Sequence, residues 1–494
     1  MQPNTPIPAS ITGARICLVL QSGRNSRSFA VSFKKVRQSS ALPRPQRFSN
    51  LWAIQLPLCA GRHKRQLLVQ GTDGRGISGP SVAIAADLDN ERRGGRLRGP
   101  LHRIPILLKD TIATGDNMQT TAGSLALLNS QVPGDALLVE KLRGAGVVIL
   151  GKANLSEWAA FRGFGSINGW SARGGFTRNP YKLDFDPCGS SSGSAVAAAA
   201  NLCAAAVGVE IDGSIVCPAG NALIVGLKPT VGLVSQDGVI PIAHSLDTAG
   251  PMARSVTDVA ILLGVLQTPS GPVAGHSVPS DYTGFLRRGS LKGARIGIDQ
   301  RYFTPDFGGE PDLVAVVTNI VIPALMSLGA TVIPTDTGDP MQYFDAEGVV
   351  LLNEFKTQIA QYLAALKHTQ MRTLADLIAF DIAHCPQEMK YFGQEIFEFS
   401  ETTSGDLSDP TYLAARQFCL QLTRAEGIDK ALTNQNLDAI IAPSYSDATS
   451  PAAVAGYPNI SVPVGLTPRR QTSGNMDVFD LSSRVELARV CLRS

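Results

Sequence analysis

The hydrophobic pattern changes character along the chain. From Pro80 onward Val82, Ala83, Ile84, Ala85 and Leu88 recur at helical spacing and stop at Gly94-Gly95, which predicts a helix with a glycine terminus. Ile104 to Leu108 is a short unbroken apolar run that reads as a buried strand, and it delivers Lys109 and Asp110 at its end. A helical stretch from Ala136 to Arg143 passes through Gly144-Ala-Gly146 into the apolar run Val147 to Leu150. The same order returns at Leu313 to Leu328, Gly329 and Thr331 to Ile333. Helix, glycine and β-branched strand in alternation predict an α/β fold with a largely parallel sheet. Further buried strands are expected at Ala204 to Val209, Ile296 to Asp299 and Asp438 to Ala442. No repeat of 20 to 50 residues is visible, which argues against a solenoid.

Composition adds a boundary that periodicity misses. The 494 residues are 44% hydrophobic and carry a formal charge of +3, enough apolar material for a large core and too little charge for a disordered chain. Residues 1–72 nevertheless hold 11 Lys and Arg and no Asp or Glu, whereas the remainder holds 33 basic against 41 acidic side chains. An acid-free, Arg- and Ser-containing start resembles a transit segment in composition, yet Pro3, Pro6, Pro8, Pro43, Pro45 and Pro57 interrupt any amphipathic helix there. A basic arm of unrelated origin fits equally, and it lacks the aromatic-basic interleaving of a nucleic-acid module. The eight cysteines contain no CxxC pair and no histidine at ligand spacing, which predicts neither a zinc site nor a disulfide framework. The longest apolar stretch, Ala195 to Val209, falls short of the ~20 residues that span a bilayer. The expectation is a chain without a membrane span, placed in the cytoplasm unless the basic segment directs it to an organelle.

The tract from Cys188 to Thr230 carries the candidate chemistry. Its density of Gly, Ala and Ser means that backbone approaches another element or a ligand closely. Gly189-Ser190-Ser191-Ser192-Gly193 matches the G-x-S-x-G elbow of α/β-hydrolases with Ser191 as nucleophile, but Tyr181 to Pro187 is not the buried strand that motif requires. His244, His276, His368 and His384 stand near no serine motif. A serine nucleophile here could instead use a lysine whose amine is kept neutral by burial, and Lys109, at the end of an apolar strand, is the candidate.

These residues resemble the amidase signature family, hydrolases with a Ser, Ser, Lys triad. The resemblance rests on Gly99-Pro-Leu-His-Arg-Ile-Pro-Ile-Leu-Leu-Lys-Asp110, Thr120-Thr-Ala-Gly-Ser124, Lys152-Ala-Asn-Leu-Ser-Glu-Trp158, Cys188-Gly-Ser-Ser-Ser-Gly-Ser194, Glu210-Ile-Asp-Gly-Ser-Ile-Val-Cys-Pro218, Gly226-Leu-Lys-Pro-Thr230 and Ser245-Leu-Asp-Thr-Ala-Gly-Pro251. It extends through Thr373-Leu-Ala-Asp-Leu-Ile378 to Ala455-Gly-Tyr-Pro458. It implies a large, mixed, mostly parallel twisted sheet with helices on both faces, occupying residues 77–466 between a divergent basic segment, 1–76, and a divergent tail, 467–494.

The resemblance further implies that Ser214 is the acylated nucleophile, that Ser190 is a bridging serine on a cis peptide, and that Lys109 is the base. The family's spacing of 24 residues between its two serines is what selects Ser190 over Ser191 and Ser192. Backbone N–H groups of Ile211, Asp212, Gly213 and Ser214 would form the oxyanion hole. Asp212 and Val216 stand where many members have Gly and Arg, a variant similar to stand-alone amidases. The implied activity is hydrolysis of a small-molecule, non-peptide linear amide through an acyl-enzyme, with no cofactor, no metal and no nucleic-acid partner, and with a homodimer left open. Lys228 reads as a structural hydrogen-bonder, Asp247 as a turn residue and Lys152 as a partly exposed strand end. Trp158, Phe161, Phe164 and Trp170 could line an acyl pocket, although aromatics in this number more often form core.

Two alternatives accompany this reading. One is a member of an amidotransferase complex, disfavoured by the text Asn154-Leu-Ser-Glu-Trp-Ala159. The other is a catalytically impaired chain, because the polar segment after Leu466 offers no recognisable final core strand, and an unpaired sheet edge is costly.

Overall fold

A computed structural model of the chain describes residues 69–70, 79–269, 273, 278–444, 446–465 and 485–491. The basic segment of the first 68 residues therefore lies outside the described part. In chain order the strands are β1 (Val69–Gln70), β2 (Pro105–Lys109), β3 (Val148–Ala153), β4 (Trp170–Ser171), β5 (Gly175–Phe176), β6 (Ala205–Glu210) and β7 (Val225–Lys228). They continue with β8 (Thr248–Ala253), β9 (Arg295–Asp299), β10 (Thr331–Thr335), β11 (Ala439–Ala442), β12 (Asn459–Gly465) and β13 (Val485–Cys491). Eleven of these form one sheet in the order β1-β3-β2-β6-β8-β7-β12-β13-β11-β9-β10, while β4 and β5 pair on their own.

The parallel pairings lie in two flanks, β3-β2-β6 and β10-β9-β11, and the strands between them pair antiparallel. Each flank is built from the helix, glycine and strand alternation legible in the sequence. α1 (Gly79–Arg93) ends before Gly95, whose φ of +79° suits glycine. α2 (Leu137–Gly144) leads through Gly146 into β3. The expected helix over Leu313 to Leu328 is α6 (Pro311–Val316) and α7 (Ile322–Ser327), joined by a wider helical turn before β10.

The unbroken apolar strands exist because both faces of the sheet are covered. Ile106 and Leu108 of β2, with Val207 and Val209 of β6, join α2 and α5 (Val256–Leu266) in one apolar cluster. Leu107 and Ala206, of the opposite parity on their strands, pack instead with α3 (Ser192–Ala199) and α4 (Val216–Asn221) on the other face. Side chains alternate along a strand, so Lys109 shares the face of Leu107 and emerges on the side of α3. A second cluster around α8 (Phe344–Ala365) and α9 (Leu374–Ala383) covers the loops beyond the strand ends and includes Ile211, Ile240 and Ile242. Thr373 and Asp376 cap α9 reciprocally.

Two expectations are corrected here. The tail beyond Leu466 does supply a strand: β13 lies antiparallel between β12 and β11, so the place of a final core strand is filled. Its residues Val485 to Cys491 are short and follow a polar stretch, which hid the strand. Lys152 is not a partly exposed strand end but 1% exposed, because the loop after β2 folds over it and the Ile112 carbonyl and Thr120 hydroxyl accept its amine.

Candidate active site

The end of β2 meets two loops, and each contributes one serine. Lys109 is fully buried; its Nζ donates to Ser190 Oγ at 2.6 Å and to the Val209 carbonyl at 2.9 Å. Burial holds the amine well below the ordinary lysine range, at about 7, against the opposing pull of Asp247 and then Glu210. Ser190 follows a cis peptide from Gly189. Its carbonyl accepts the N–H of Ser156, and the next N–H, that of Ser191, donates at 3.0 Å to the carbonyl of Ser214. The two serine loops are thus stitched backbone to backbone. Ser214 is 7% exposed, the least enclosed of the three residues.

Small residues permit this closeness, as their density in the sequence suggested. A Cβ on Gly193 would come within 2.4 Å of the Asn154 carbonyl, and one on Gly208 would meet Ser191 Oγ and Met252 Sδ at 2.8 Å. Gly213 has a φ of +76°, a turn that glycine adopts without cost. Ser191, the elbow candidate, is bonded on both sides to β6: its Oγ donates to the Val209 carbonyl and accepts the Val209 N–H. No strand precedes it among the described residues, since β5 ends at Phe176.

Three groups escaped the sequence reading. Glu210, buried at the end of β6, accepts N–H bonds from Gly213, Ile215 and Val216 at 3.0, 2.6 and 2.9 Å and so moulds the loop that carries Ser214. The N–H of Gly213, one of the four expected oxyanion donors, is committed to that carboxylate. An acid ending an otherwise apolar strand was the available signal. Cys188 and Cys217 form a disulfide, with Cα atoms 5.9 Å apart, which corrects the expectation of none. Their separation of 29 residues is invisible to any short-spacing pattern, yet the two serine loops bring them together. The third is Asp247, whose burial raises its carboxyl to about 7 against the N–H bonds of Ile242 and Ala243.

The remaining candidates fall into place around this centre. Lys228 is buried and donates to the Tyr457 carbonyl. Trp158 and Trp170 are buried in aromatic contacts with Phe397 and with Tyr391 and Phe392, whereas Phe164 is 73% exposed. His244 lies on the loop after β7, held through its backbone by Gln358 of α8, and the His384 ring stacks on Phe380. His276 falls outside the described residues. No group of three or more His, Cys, Asp or Glu among the described residues is arranged to hold a metal, and no described helix is long and apolar enough to cross a membrane.

At its strand ends a mixed sheet covered on both faces thus holds a buried lysine bonded to a serine that follows a cis peptide. The amidase family profile matches residues 78–450. A probable amidase of Arabidopsis thaliana is 42% identical over 394 residues, covering 78% of this chain and 74% of its own. The native peptide amidase of Stenotrophomonas maltophilia superposes with a TM-score of 0.75 at 44% identity, covering 87% of this chain and 88% of that one. A putative amidase of Schizosaccharomyces pombe is 38% identical over 425 residues, covering 78% of this chain and 72% of its own. The chain belongs to the amidase family, hydrolases acting on carbon-nitrogen bonds of amides.

Proposed function

We propose that the chain hydrolyses a carboxamide by acylation of Ser214, with Ser190 as proton relay and Lys109 as base. The observation that supports this most directly is the 2.6 Å contact between the buried Lys109 amine and the Ser190 hydroxyl. A neutral Lys109 takes the proton of Ser190 while Ser190 takes that of Ser214, and Ser214 Oγ attacks the amide carbonyl. The oxyanion of the tetrahedral intermediate is met by backbone N–H groups of the Ile211, Asp212, Gly213 and Ser214 loop, each such donor commonly being worth ~3 to 4 kcal/mol. The Gly213 N–H donates to Glu210, so the burden falls on the rest of that loop. Collapse expels the amine or ammonia, which receives the proton back through Ser190, and water then releases the acid from Ser214 by the same relay.

The likeness to a peptide amidase puts amides carried on peptides first in a substrate screen, ahead of free aliphatic and aryl amides. Covalent labelling by a fluorophosphonate tests the assignment. Labelling and turnover are expected in the full chain and absent from Ser214→Ala; labelling that survives in Ser214→Ala would overturn it.

A further inference from the structure

The loop that carries Ser214 faces one side chain across a gap. Beyond its chain neighbours, a Cβ placed on Gly213 would meet nothing within 4 Å among the described residues except Thr449 Cγ2 and Oγ1, both at 3.8 Å. Thr449 opens the short helix Thr449–Val454, which packs onto the same loop: Val454 and Ile211 belong to one buried apolar cluster, together with Tyr343. The helix is also tied to the start of α8, where the Tyr343 hydroxyl and Ser450 Oγ lie 3.1 Å apart. The wall opposite Gly213 is thereby fixed in place, and Thr449 is the residue it presents.

Two adjacent hydroxyls of this helix are used differently. Ser450 spends its own on Tyr343. Thr449 is only 7% exposed, yet its hydroxyl bonds to no described residue. A hydroxyl held out of solvent favours a partner, to which it can both donate and accept. Valine would fill the same space without an unpaired polar atom, so packing does not account for the hydroxyl. The developing oxyanion is met by N–H groups of the Ser214 loop, so the group left for Thr449 belongs to another part of the substrate.

We infer that Thr449 is a specificity-determining residue whose hydroxyl holds a second polar group of the substrate, the neighbouring N–H or C=O of a peptide amide, beside the carboxamide that Ser214 attacks. The inference rests on the reading of Ser214 as nucleophile. A plain aliphatic amide has no such group and leaves the hydroxyl unpaired, so the site favours the peptide amide. Thr449 takes no part in making or breaking a bond.

The test compares turnover of an N-acylated dipeptide amide with that of an aliphatic amide of similar length, using the full chain and its variants Thr449→Val and Thr449→Ser. Valine keeps the branched shape and removes only the hydroxyl, so a cooperative melt and fluorophosphonate labelling of Ser214 are expected to be retained. In Thr449→Val, kcat/KM should fall about tenfold for the dipeptide amide and less than about twofold for the aliphatic amide. Thr449→Ser, which restores a hydroxyl, should recover most of the loss. An equal loss on both amides would mark Thr449 as wall alone, and no loss on the dipeptide amide would show its hydroxyl idle. A Thr449→Val chain that does not fold would show the hydroxyl to be structural. Each of these results overturns the inference and leaves the Ser214 assignment standing, as does an unmodified chain that is labelled but prefers the aliphatic amide or turns over neither. Labelling that persists in Ser214→Ala is the separate result that removes the reading beneath it.

Discussion

Two buried lysines sit side by side in this sheet and have different surroundings. Lys109 ends β2 and Lys152 lies next to the end of β3, where it pairs with Leu108, so the two amines leave the sheet on opposite faces. Both are fully enclosed, and burial lowers both, to about 7 and about 8. Lys152 donates to the Ile112 carbonyl and to Thr120 Oγ1 at 2.6 Å, fastening the loop after β2. Lys109 donates to Ser190, whose loop is bonded to that of Ser214. Desolvation and a hydroxyl at 2.6 Å are common to both lysines; what sets Lys109 apart is that its hydroxyl belongs to the loop bonded to Ser214.

The largest effect expected from breaking this contrast is in Lys109→Ala, which should slow labelling of Ser214 by about 10² to 10⁴-fold while retaining a cooperative melt. The pH profile sharpens it further. The proposed base works only when neutral, so below its pKa the rate should fall tenfold per pH unit. The acid limb is expected well below the ordinary lysine range, near 7, and it should remain in Lys152→Met. Next comes the disulfide, present beside Lys109 and not beside Lys152. Replacing Cys188 and Cys217 by Ser should lower stability in urea by roughly 3 kcal/mol, given the 29-residue separation, with labelling of the folded fraction retained. The smallest effect is that of Lys152→Met, about 1 to 3 kcal/mol of stability from the acceptors it orphans, with labelling within about tenfold of the unmodified rate.

Much of the fold was legible because it is encoded locally. The strands at residues 105–109, 148–153, 205–210 and 295–299 lie where unbroken apolar runs predicted them, and the glycines after α1 and α2 stop those helices where expected. β13 was not legible, since a strand that fills a gap between β12 and β11 owes its place to neighbours rather than to its own pattern. In the site, the resemblance named Lys109, Ser190 and Ser214 without geometry. It gave no role to Glu210, whose three N–H bonds shape the loop that carries Ser214.

The sequence by itself determined the family, the periodicity of helices and strands, and the residue types that carry chemistry, because these depend on neighbours a few positions apart. Only the tertiary structure decided that Lys109 meets Ser190 while Lys152 meets Thr120, and that Cys188 reaches Cys217. The two lysines part through the parity of a side chain on its strand, which a one-residue shift would reverse, whereas the cysteines meet because two segments far apart in sequence close on one another.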